Sequence, residues 1–291
     1  MGHFAFAAIA MPGRCIIFAA MVTDIKFEYG KSQVFSSPRM RKHPAIGKFI
    51  YKVFGYTSIG NWARANVFID RLKLLPLKDF KKIMDLGAGL GEFTFMMAEA
   101  LPDVAITALE IDPERIALLQ EIVAKQKYSN VTVFPDKIGA HSENNAYDFI
   151  FSIDVFEHIL KEHMPFEDAY QKLKPGGYLM VKMPNVTQIT IFPNAWFEEH
   201  NEWLEDEHIG QVYNLDQLVD RFKQAGFSIV HASYSDGWIS RLGWEISYFS
   251  AKGGSVIQLA FLPLVKFIYL IERLTFSSKK NGNCIQVIGR K

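Results

Sequence analysis

The stretch Lys81–Phe93, with the sequence KKIMDLGAGLGEF, decides the fold of this chain. Its first half, Lys82 to Leu86, predicts a short buried strand, and Glu92 to Leu101 has the composition of a helix. Between the two lie three glycines at positions 87, 89 and 91. Glycine lets a ligand approach the backbone because it has no Cβ, and a helix N-terminus adds unpaired N–H groups. We therefore expect a cofactor at this turn.

Outward from this turn, apolar strands alternate with helices. The later predicted strands are Val104–Glu110, Asn130–Phe134, Tyr147–Ile153, Tyr178–Met183, Phe227–Tyr234 and Cys284–Gly289. The predicted helices are Pro113–Gln126, Val155–His163, Glu167–Leu173 and Leu215–Gln224, with a turn at Lys174–Gly177. This pattern indicates a parallel sheet covered by helices on both faces. Ligands of such sheets bind at the carboxyl ends of the strands.

Four carboxylates stand at or just beyond the ends of four successive predicted strands. They are Asp85, Glu110, Asp136 and Asp154. A single acid at such a position is more often a helix cap or a solvated loop residue. Because parallel strands end at one edge of the sheet, we expect the four carboxylates to converge on one crevice.

Two other nucleotide-binding patterns fit less well. Glu110 lies at a suitable distance from the glycines for a dinucleotide fold, but that fold uses the spacing G-x-G-x-x-G. Here the spacing is Gly87-x-Gly89-x-Gly91, which moves the third glycine away from the helix–strand contact. A P-loop is excluded because no Gly-Lys-Ser/Thr follows the glycines.

Five ordered blocks carry a resemblance to a known family. They are DLGAGLGEF (85–93), ALEIDPERI (108–116), FPDKIG (134–139), YDFIFSIDVFEHI (147–159) and LKPGGYLMVKMPN (173–185). In this order they resemble class I S-adenosylmethionine-dependent methyltransferases, most closely the small-molecule branch that includes the ubiquinone-biosynthesis O-methyltransferases. The resemblance covers roughly residues 80–230, with a weaker match in the final strand. It implies an α/β fold with a doubly wound, mostly parallel seven-stranded sheet, helices on both faces and the last strand antiparallel.

The resemblance also implies a cofactor, S-adenosylmethionine, and the residues that hold it. These are Asp85, Gly87, Ala88, Gly89, Gly91, Glu110, Ile111, Asp136, Lys137, Ser152, Ile153 and Asp154. In the family, the first acid and the glycine loop hold the methionine part, and the second acid binds the ribose hydroxyls beside an apolar residue at the adenine. The third acid faces the adenine amino group, and residues 152–154 line the floor towards the acceptor. Pro135 departs from the pattern, since the family usually has glycine there.

The implied reaction is methyl transfer to a small molecule, with a hydroxyl or carboxyl oxygen of an apolar or aromatic compound as the expected acceptor. Methylation of nitrogen or carbon, and cofactor binding without catalysis, are the alternatives. A hydroxyl acceptor must lose a proton, so a base is needed. His208 is the first candidate and His158 the second, although a histidine at either position is more often structural. We expect no metal, because the acidic run from Glu198 to Glu207 is typical of a solvated face.

Around this core we predict three regions. Residues 1–42 form an N-terminal extension, whose apolar pieces are shorter than the roughly 20 residues of a spanning helix. Residues 43–79 form a helical lid or packing layer, in which Tyr56, Trp62 and Arg64 are candidates to border a substrate pocket. Residues 80–291 form the methyltransferase domain, whose insertions at 185–213 and 235–283 are expected to build the acceptor pocket.

Charge and hydropathy limit the partners. A formal net charge of +1 gives no support for a nucleic-acid partner. Two cysteines suit a reducing, cytoplasmic setting. The apolar stretch 255–276 has three interpretations: a helix packed in the core, a peripheral membrane contact, or a homodimer contact. Its least charged part, Leu259–Ile271, is interrupted by Pro263 and is too short to span a bilayer.

Overall fold

The computed structural model describes residues 25–31, 38–200, 202, 212–274 and 281–291. Its centre is a seven-stranded sheet in the order β3-β2-β1-β4-β5-β7-β6. The strands are β1 (Lys82–Leu86), β2 (Ala105–Leu109), β3 (Val131–Phe134), β4 (Tyr147–Ile153), β5 (Leu173–Pro184), β6 (Ser228–Ser235) and β7 (Cys284–Arg290). The first five pair in parallel, and β7 runs antiparallel between β5 and β6. The predicted fold class is confirmed.

Helices surround this sheet. They are α1 (Pro38–Lys42), α2 (Pro44–Phe54), α3 (Ile59–Leu72), α4 (Glu92–Ala100), α5 (Pro113–Gln126), α6 (Phe166–Lys172), α7 (Leu215–Gln224), α8 (Trp238–Lys252) and α9 (Ser255–Leu274). Helix α5 begins where Asp112 accepts hydrogen bonds from two backbone amides, and α7 begins with a capping box between Asn214 and Gln217. Single turns of 3-10 helix lie at Leu77–Asp79, Ile138–Ala140, Phe156–His158, Lys161–His163 and Asn194–Phe197.

Two apolar clusters cover the two faces of the sheet. Strand β4 illustrates the division, because Phe149 and Phe151 belong to the cluster that contains α3 and α4 residues, while Ile150 belongs to the cluster of α6 and α7. A third, smaller cluster joins α3 to α9. The parallel strands therefore end at one edge, with packed layers above and below.

Two predicted elements differ from the structure. The predicted helix Val155–His163 is instead two separate 3-10 turns, because Asp154 leaves β4 with a φ of +52° and Val155 is not helical either. The predicted turn Lys174–Gly177 lies inside β5, where a register shift against β4 and a positive φ at Gly176 accommodate the extra residues.

The prediction that the apolar stretch near residue 260 is too short to span a bilayer was wrong. Helix α9 has 20 residues and continues through Pro263, so it is longer than the stretch Leu259–Ile271. The charged residues that shortened the prediction, Glu272 and Arg273, lie within the helix and contact neighbouring elements. By length and composition, α9 is the one helix in the described part of the chain that is long and apolar enough to cross a membrane.

Candidate cofactor and acceptor site

The glycine turn after β1 has a conformation that glycine favours. Gly87, Gly89 and Gly91 have φ angles of +84°, +56° and +79°. The backbone N–H groups of Gly87 and Ala88 both donate to the Leu109 carbonyl oxygen at 2.9 Å. The turn is therefore fixed to the end of β2, and its last glycine leads directly into α4.

The three glycines face different surroundings. A Cβ on Gly87 would lie 2.5 Å from Val155, and one on Gly91 would lie 2.3 Å from Phe95, so both backbones are closely packed. A Cβ on Gly89 would meet no atom within 4 Å. The middle of the turn therefore opens onto free space, a cradle that a ligand would fill and a side chain would obstruct.

Glu110 connects the turn to the end of β2. Its Oε2 accepts a hydrogen bond from the Gly89 amide at 2.7 Å, and its Oε1 accepts from the amides of Ile111 and Asp112 at 2.9 and 3.1 Å. A carboxylate has about four acceptor positions, so the carboxylate of Glu110 retains acceptor capacity for a ligand hydroxyl. This arrangement fits the predicted ribose contact.

Asp85 lies below the turn. It is buried, and its Oδ2 accepts a hydrogen bond from the Thr94 hydroxyl in α4 at 2.6 Å. Burial raises the pKa of Asp85 to about 7 despite this hydrogen bond, and the negative charge of Glu110 adds to the increase. Asp85 therefore joins β1 to the first turns of α4 beneath the open space.

The remaining predicted cofactor contacts have different exposures. Ile111 is 61% exposed, which suits a contact with a flat ring. Asp136 and Lys137 are also exposed, and the Asp136 carboxylate accepts a hydrogen bond from the Lys137 amide at 2.6 Å. Ile153 is half-buried, whereas the Ser152 hydroxyl is buried and donates to the Leu86 carbonyl oxygen at 2.9 Å. The Ser152 side chain thus joins β4 to β1.

Beyond β4, Asp154 is held between two cations. Its Oδ2 lies 2.6 Å from Nε of Arg64 on α3, and its Oδ1 lies 3.2 Å from Nζ of Lys182 on β5. Burial alone would raise the pKa of Asp154, but these two positive charges lower it, Lys182 having the larger effect. Lys182 is 0% exposed. Asp154 is therefore a fixed carboxylate that attaches α3 to the strand ends.

The two residues next to this ion pair are Glu157 and His158. Glu157 is 1% exposed, and its Oε2 has no hydrogen-bond partner among the described residues. Burial and the charge of Asp154 raise the pKa of Glu157 to about 8. His158 is exposed and lies close enough to Asp154 to influence the pKa of that carboxyl group. The second candidate base therefore borders the site, while the first, His208, lies outside the described residues.

The residues of this site lie within a segment that matches a known protein family. A family model described as a methyltransferase domain matches residues 62–232, which include the glycine turn and all four strand-end acids. The chain belongs to this methyltransferase-domain family. The resemblance drawn from the five sequence blocks is thereby confirmed.

Curated relatives of this methyltransferase domain act on different atoms. The chain is 25% identical over 175 residues to a malonyl-[acyl-carrier protein] O-methyltransferase of Marinomonas sp. (strain MWYL1), which covers 58% of this chain and 62% of that protein. It is 28% identical over 179 residues to phosphoethanolamine N-methyltransferase 1 of Arabidopsis thaliana, covering 61% of this chain and 34% of that one. The chain thus spans less than two thirds of the length of either relative.

Solved structures show the same fold. Phosphoethanolamine N-methyltransferase 2 of Haemonchus contortus, in complex with S-adenosyl-L-methionine, aligns with a TM-score of 0.56 at 21% identity, over 89% of this chain and 59% of that one. The cyclopropane synthase MmaA2 of Mycobacterium tuberculosis aligns with a TM-score of 0.51 at 17% identity, over 77% and 84% of the two chains.

Two tyrosines and an asparagine bind the first residue of α4 in this methyltransferase domain. Glu92 accepts hydrogen bonds from the hydroxyls of Tyr29, at 2.7 Å, and Tyr56, and from Nδ2 of Asn61 at 3.2 Å. Burial, followed by the charge of Glu92, raises the pKa of both tyrosines well above the usual range, so they remain donors. The chain before the sheet therefore covers the start of the glycine-loop helix.

The two segments predicted as insertions, 185–213 and 235–283, pack against each other in the described residues. Glu245 on α8 is buried and accepts hydrogen bonds from the amides of Ile191 and Phe192 at 3.1 and 2.9 Å. Aromatic rings then meet across the contact, with Phe197 5.9 Å from Trp244 between ring centroids. The α carbon of Gly60, in the first turn of α3, also faces the Trp244 ring. Helix α3 therefore contacts the second insertion at Gly60 and the first residue of α4 through Asn61.

Sequence reasoning missed Lys182, Glu157 and Glu92 as members of the site. Lys182 carried a usable signal, because it is the one charge within the apolar run YLMVKM. Glu157 and Glu92 carried none, since a helix-like or turn environment normally leaves an acid in water. Of the three lid residues singled out, Arg64 and Tyr56 contact the site acids through the bonds described above, while Trp62 packs edge-on against Tyr269.

Proposed function

We propose that this protein transfers a methyl group from S-adenosylmethionine to an oxygen of an apolar or aromatic small molecule. The observation that carries the proposal is the free space beside Gly89, bordered by the Glu110 carboxylate and the exposed Ile111 side chain, in a chain of the methyltransferase-domain family. When bound, S-adenosylmethionine supplies an electrophilic methyl group on a sulfonium centre.

The residues around the turn fit the parts of this cofactor. Glu110 would accept from the ribose hydroxyls, Ile111 would cover one face of the adenine, and Asp136 would accept from the adenine amino group. Asp85 and the Gly87–Gly91 backbone would hold the methionine part. A cofactor with a positive sulfonium suits a rim that carries several carboxylates.

The acceptor would lie on the side of Asp154, next to α3, which bonds to Asp154 through Arg64 and meets the second insertion at Gly60. The main contribution of the protein is to hold the two reactants in line and to exclude water. His158 is exposed beside Asp154 and is the described residue best placed to take the proton of a hydroxyl acceptor. The aromatic side chains of the insertions support an apolar acceptor.

Two measurements test the proposal in order. Isothermal titration with S-adenosylmethionine and with its demethylated product measures cofactor binding, which we expect for both compounds. Transfer of a labelled methyl group to a panel of phenols, carboxylic acids and amines then measures catalysis. Absence of binding at saturating concentration would refute the assignment of the turn. Binding without transfer to any acceptor would favour a non-catalytic cofactor-binding protein.

Methylation of nitrogen is the second candidate, favoured by the matches to phosphoethanolamine N-methyltransferases. The same panel separates the two, because an amine acceptor would be methylated in preference to phenols and acids. The partners of Asp154 count against an amine there, since Arg64 and Lys182 already occupy the carboxylate.

A further inference from the structure

Helix α9 has two contrasting faces. Its inner face packs on α3 and α8 through residues spaced three or four apart, Leu262, Val265, Tyr269 and Glu272. The opposite face contains only apolar residues, all exposed: Val256, Ile257, Ala260, Pro263, Leu264, Phe267, Leu270, Ile271 and Leu274. A helix of 20 residues is about 30 Å long, so the apolar strip is far larger than the scattered apolar side chains of an ordinary surface.

Helix α2 repeats the pattern next to α9. Ile46, Phe49 and Val53 share one face of α2 and are more than half exposed. Lys48 and Lys52 are exposed on the neighbouring face. The segment 38–54 contains five Lys and Arg residues and no acid. Apolar residues beside lysines, without acids, are typical of helices that lie in the interface of a membrane.

The two helices are in contact. The Lys266 ammonium of α9 donates a hydrogen bond to the Phe54 carbonyl oxygen at the end of α2. Phe54 also packs against the cluster that contains Leu262 and Val265. The exposed apolar residues of α2 and the outer strip of α9 therefore belong to adjacent elements, and we call them together the α2–α9 surface.

The inner contacts of α9 oppose its insertion across a bilayer. The Glu272 carboxylate accepts hydrogen bonds from the amides of Gly237 and Ser240, at 2.7 and 3.0 Å, at the start of α8. The Arg273 guanidinium binds Asp70 on α3 at 3.0 Å. A spanning position would break these bonds, whereas a helix lying in the interface keeps them and places its outer strip in the lipid.

We propose that the α2–α9 surface docks the protein onto an anionic lipid bilayer, with the apolar residues in the interface and the lysines of α2 at the headgroups. Opposite charge adds attraction near an anionic leaflet for each basic residue. This inference goes beyond methyl transfer and does not depend on it, because a protein without any catalytic activity would dock in the same way.

Vesicle flotation tests the proposal with the full chain. The probes are vesicles of phosphatidylcholine alone and of phosphatidylcholine with phosphatidylglycerol, at low and high salt. We expect the protein to float with the anionic vesicles, to bind neutral vesicles less, and to be released in part by salt. The proposal would be overturned if the protein floated with neither the neutral nor the anionic vesicles.

Two pairs of variants locate the surface. Lys48→Glu combined with Lys52→Glu should reduce binding to anionic vesicles by at least about tenfold. Lys127→Glu combined with Lys223→Glu makes the same change in net charge at other exposed positions and should reduce it less. Phe267→Ser combined with Leu274→Ser should reduce binding to both vesicle types, and Val186→Ser, which is also exposed, should not. If a variant on the α2–α9 surface and its control reduced vesicle binding equally, the α2–α9 surface would not be the docking site.

Two competing occupants of the α2–α9 surface give different results. A second copy of the chain predicts a dimer by light scattering, no flotation, and dissociation of the dimer by the Phe267 and Leu274 changes. A transmembrane α9 predicts that floated protein resists extraction with alkaline carbonate, whereas interfacial docking predicts release. Either result would overturn the proposal, and thermal melting of each variant shows that it is folded.

Discussion

Gly89 is the residue on which the cofactor assignment can be tested most directly. Gly89→Val should abolish binding of S-adenosylmethionine in isothermal titration, because the new side chain enters the free space beside the turn. The positive φ also costs stability, about 1–2 kcal/mol for a residue with a Cβ.

Gly254 provides the matched control for this strain. It too has a positive φ and no atom within 4 Å of a Cβ, but it lies between α8 and α9. Gly254→Val should lower the melting temperature without loss of cofactor binding. If both variants lose binding, or Gly89→Val retains it, the free space is not the cofactor site.

Glu110 both fixes the glycine turn and provides the proposed ribose contact, and one substitution weakens both. Glu110→Gln should weaken cofactor binding by about 1–3 kcal/mol, because an amide loses the charge and one of the two acceptor oxygens that now serve three backbone amides. Titration with the demethylated product measures the loss. Glu114→Gln changes an exposed acid four residues away and should have no effect. Unchanged affinity in Glu110→Gln would exclude a ribose contact.

At the residue scale, the sequence predicted those members of the site that follow one another along a strand end. The glycines and Glu110 could be found because a strand, a turn and the next strand end are local patterns. Lys182 and Glu157 could not be assigned a role from the sequence, because Asp154 and Arg64 form their environment. Each of the two residues is distant in sequence from at least one of these partners. The apolar run around Lys182 signals its burial, but packing alone identifies Asp154 as its partner.

At the element scale, the second insertion holds the first through Glu245. Glu245→Gln keeps one acceptor oxygen and loses the ion pair with Arg241, whose Nε lies 2.6 Å from the carboxylate. The free energy of unfolding should fall by about 2 kcal/mol, and proteolysis between residues 186 and 200 should become faster. If this contact shapes the acceptor pocket, KM for the acceptor rises while cofactor affinity is unchanged.

The control for this prediction is Glu199→Gln. Glu199 also bonds to α8, through Lys252 at 2.9 Å, but it is exposed. It should behave like the unaltered protein in urea denaturation. A similar loss of stability in both variants would mean that the amide contacts of Ile191 and Phe192 contribute little.

Elements were predictable where one physical pattern dominated. Strands β1, β3 and β4 were found within one or two residues because they are short apolar runs between turns. Two errors arose where a side chain serves another element. The least charged stretch, Leu259–Ile271, stops before Glu272 and Arg273, yet these two residues bond to α8 and α3 from within α9. The segment after β4 read as helical, and the positive φ of Asp154 prevents it.

At the scale of the whole molecule, stability should decrease with rising pH because of two buried acids. The folded-state pKa of Glu157 is about 8 and that of Asp85 about 7, both above the ordinary values of 4.5 and 3.8. The folded protein therefore retains protons that the unfolded chain releases. The stabilisation is complete below the unfolded-state pKa and is lost as pH rises through the folded-state pKa.

Thermal melting between about pH 5 and about pH 8 tests this prediction. Glu157→Gln replaces the protonated acid by a neutral group of similar shape, so the melting temperature should fall less across this range than in the unaltered protein. Glu162→Gln, at an exposed position on the next turn, should leave the pH dependence unchanged. Parallel curves for Glu157→Gln and the unaltered protein would show that Glu157 is ionised throughout.

The insertion of β7 between β5 and β6 has a consequence for synthesis on the ribosome. Strand β6 pairs with β7, so it waits for residues 284–290 to be translated before it joins the sheet. During that interval β5 also lacks the partner of its outer edge, so both strands present unpaired backbone N–H and C=O groups. A nascent chain at this stage is the form most exposed to aggregation and to early capture by lipid or chaperones.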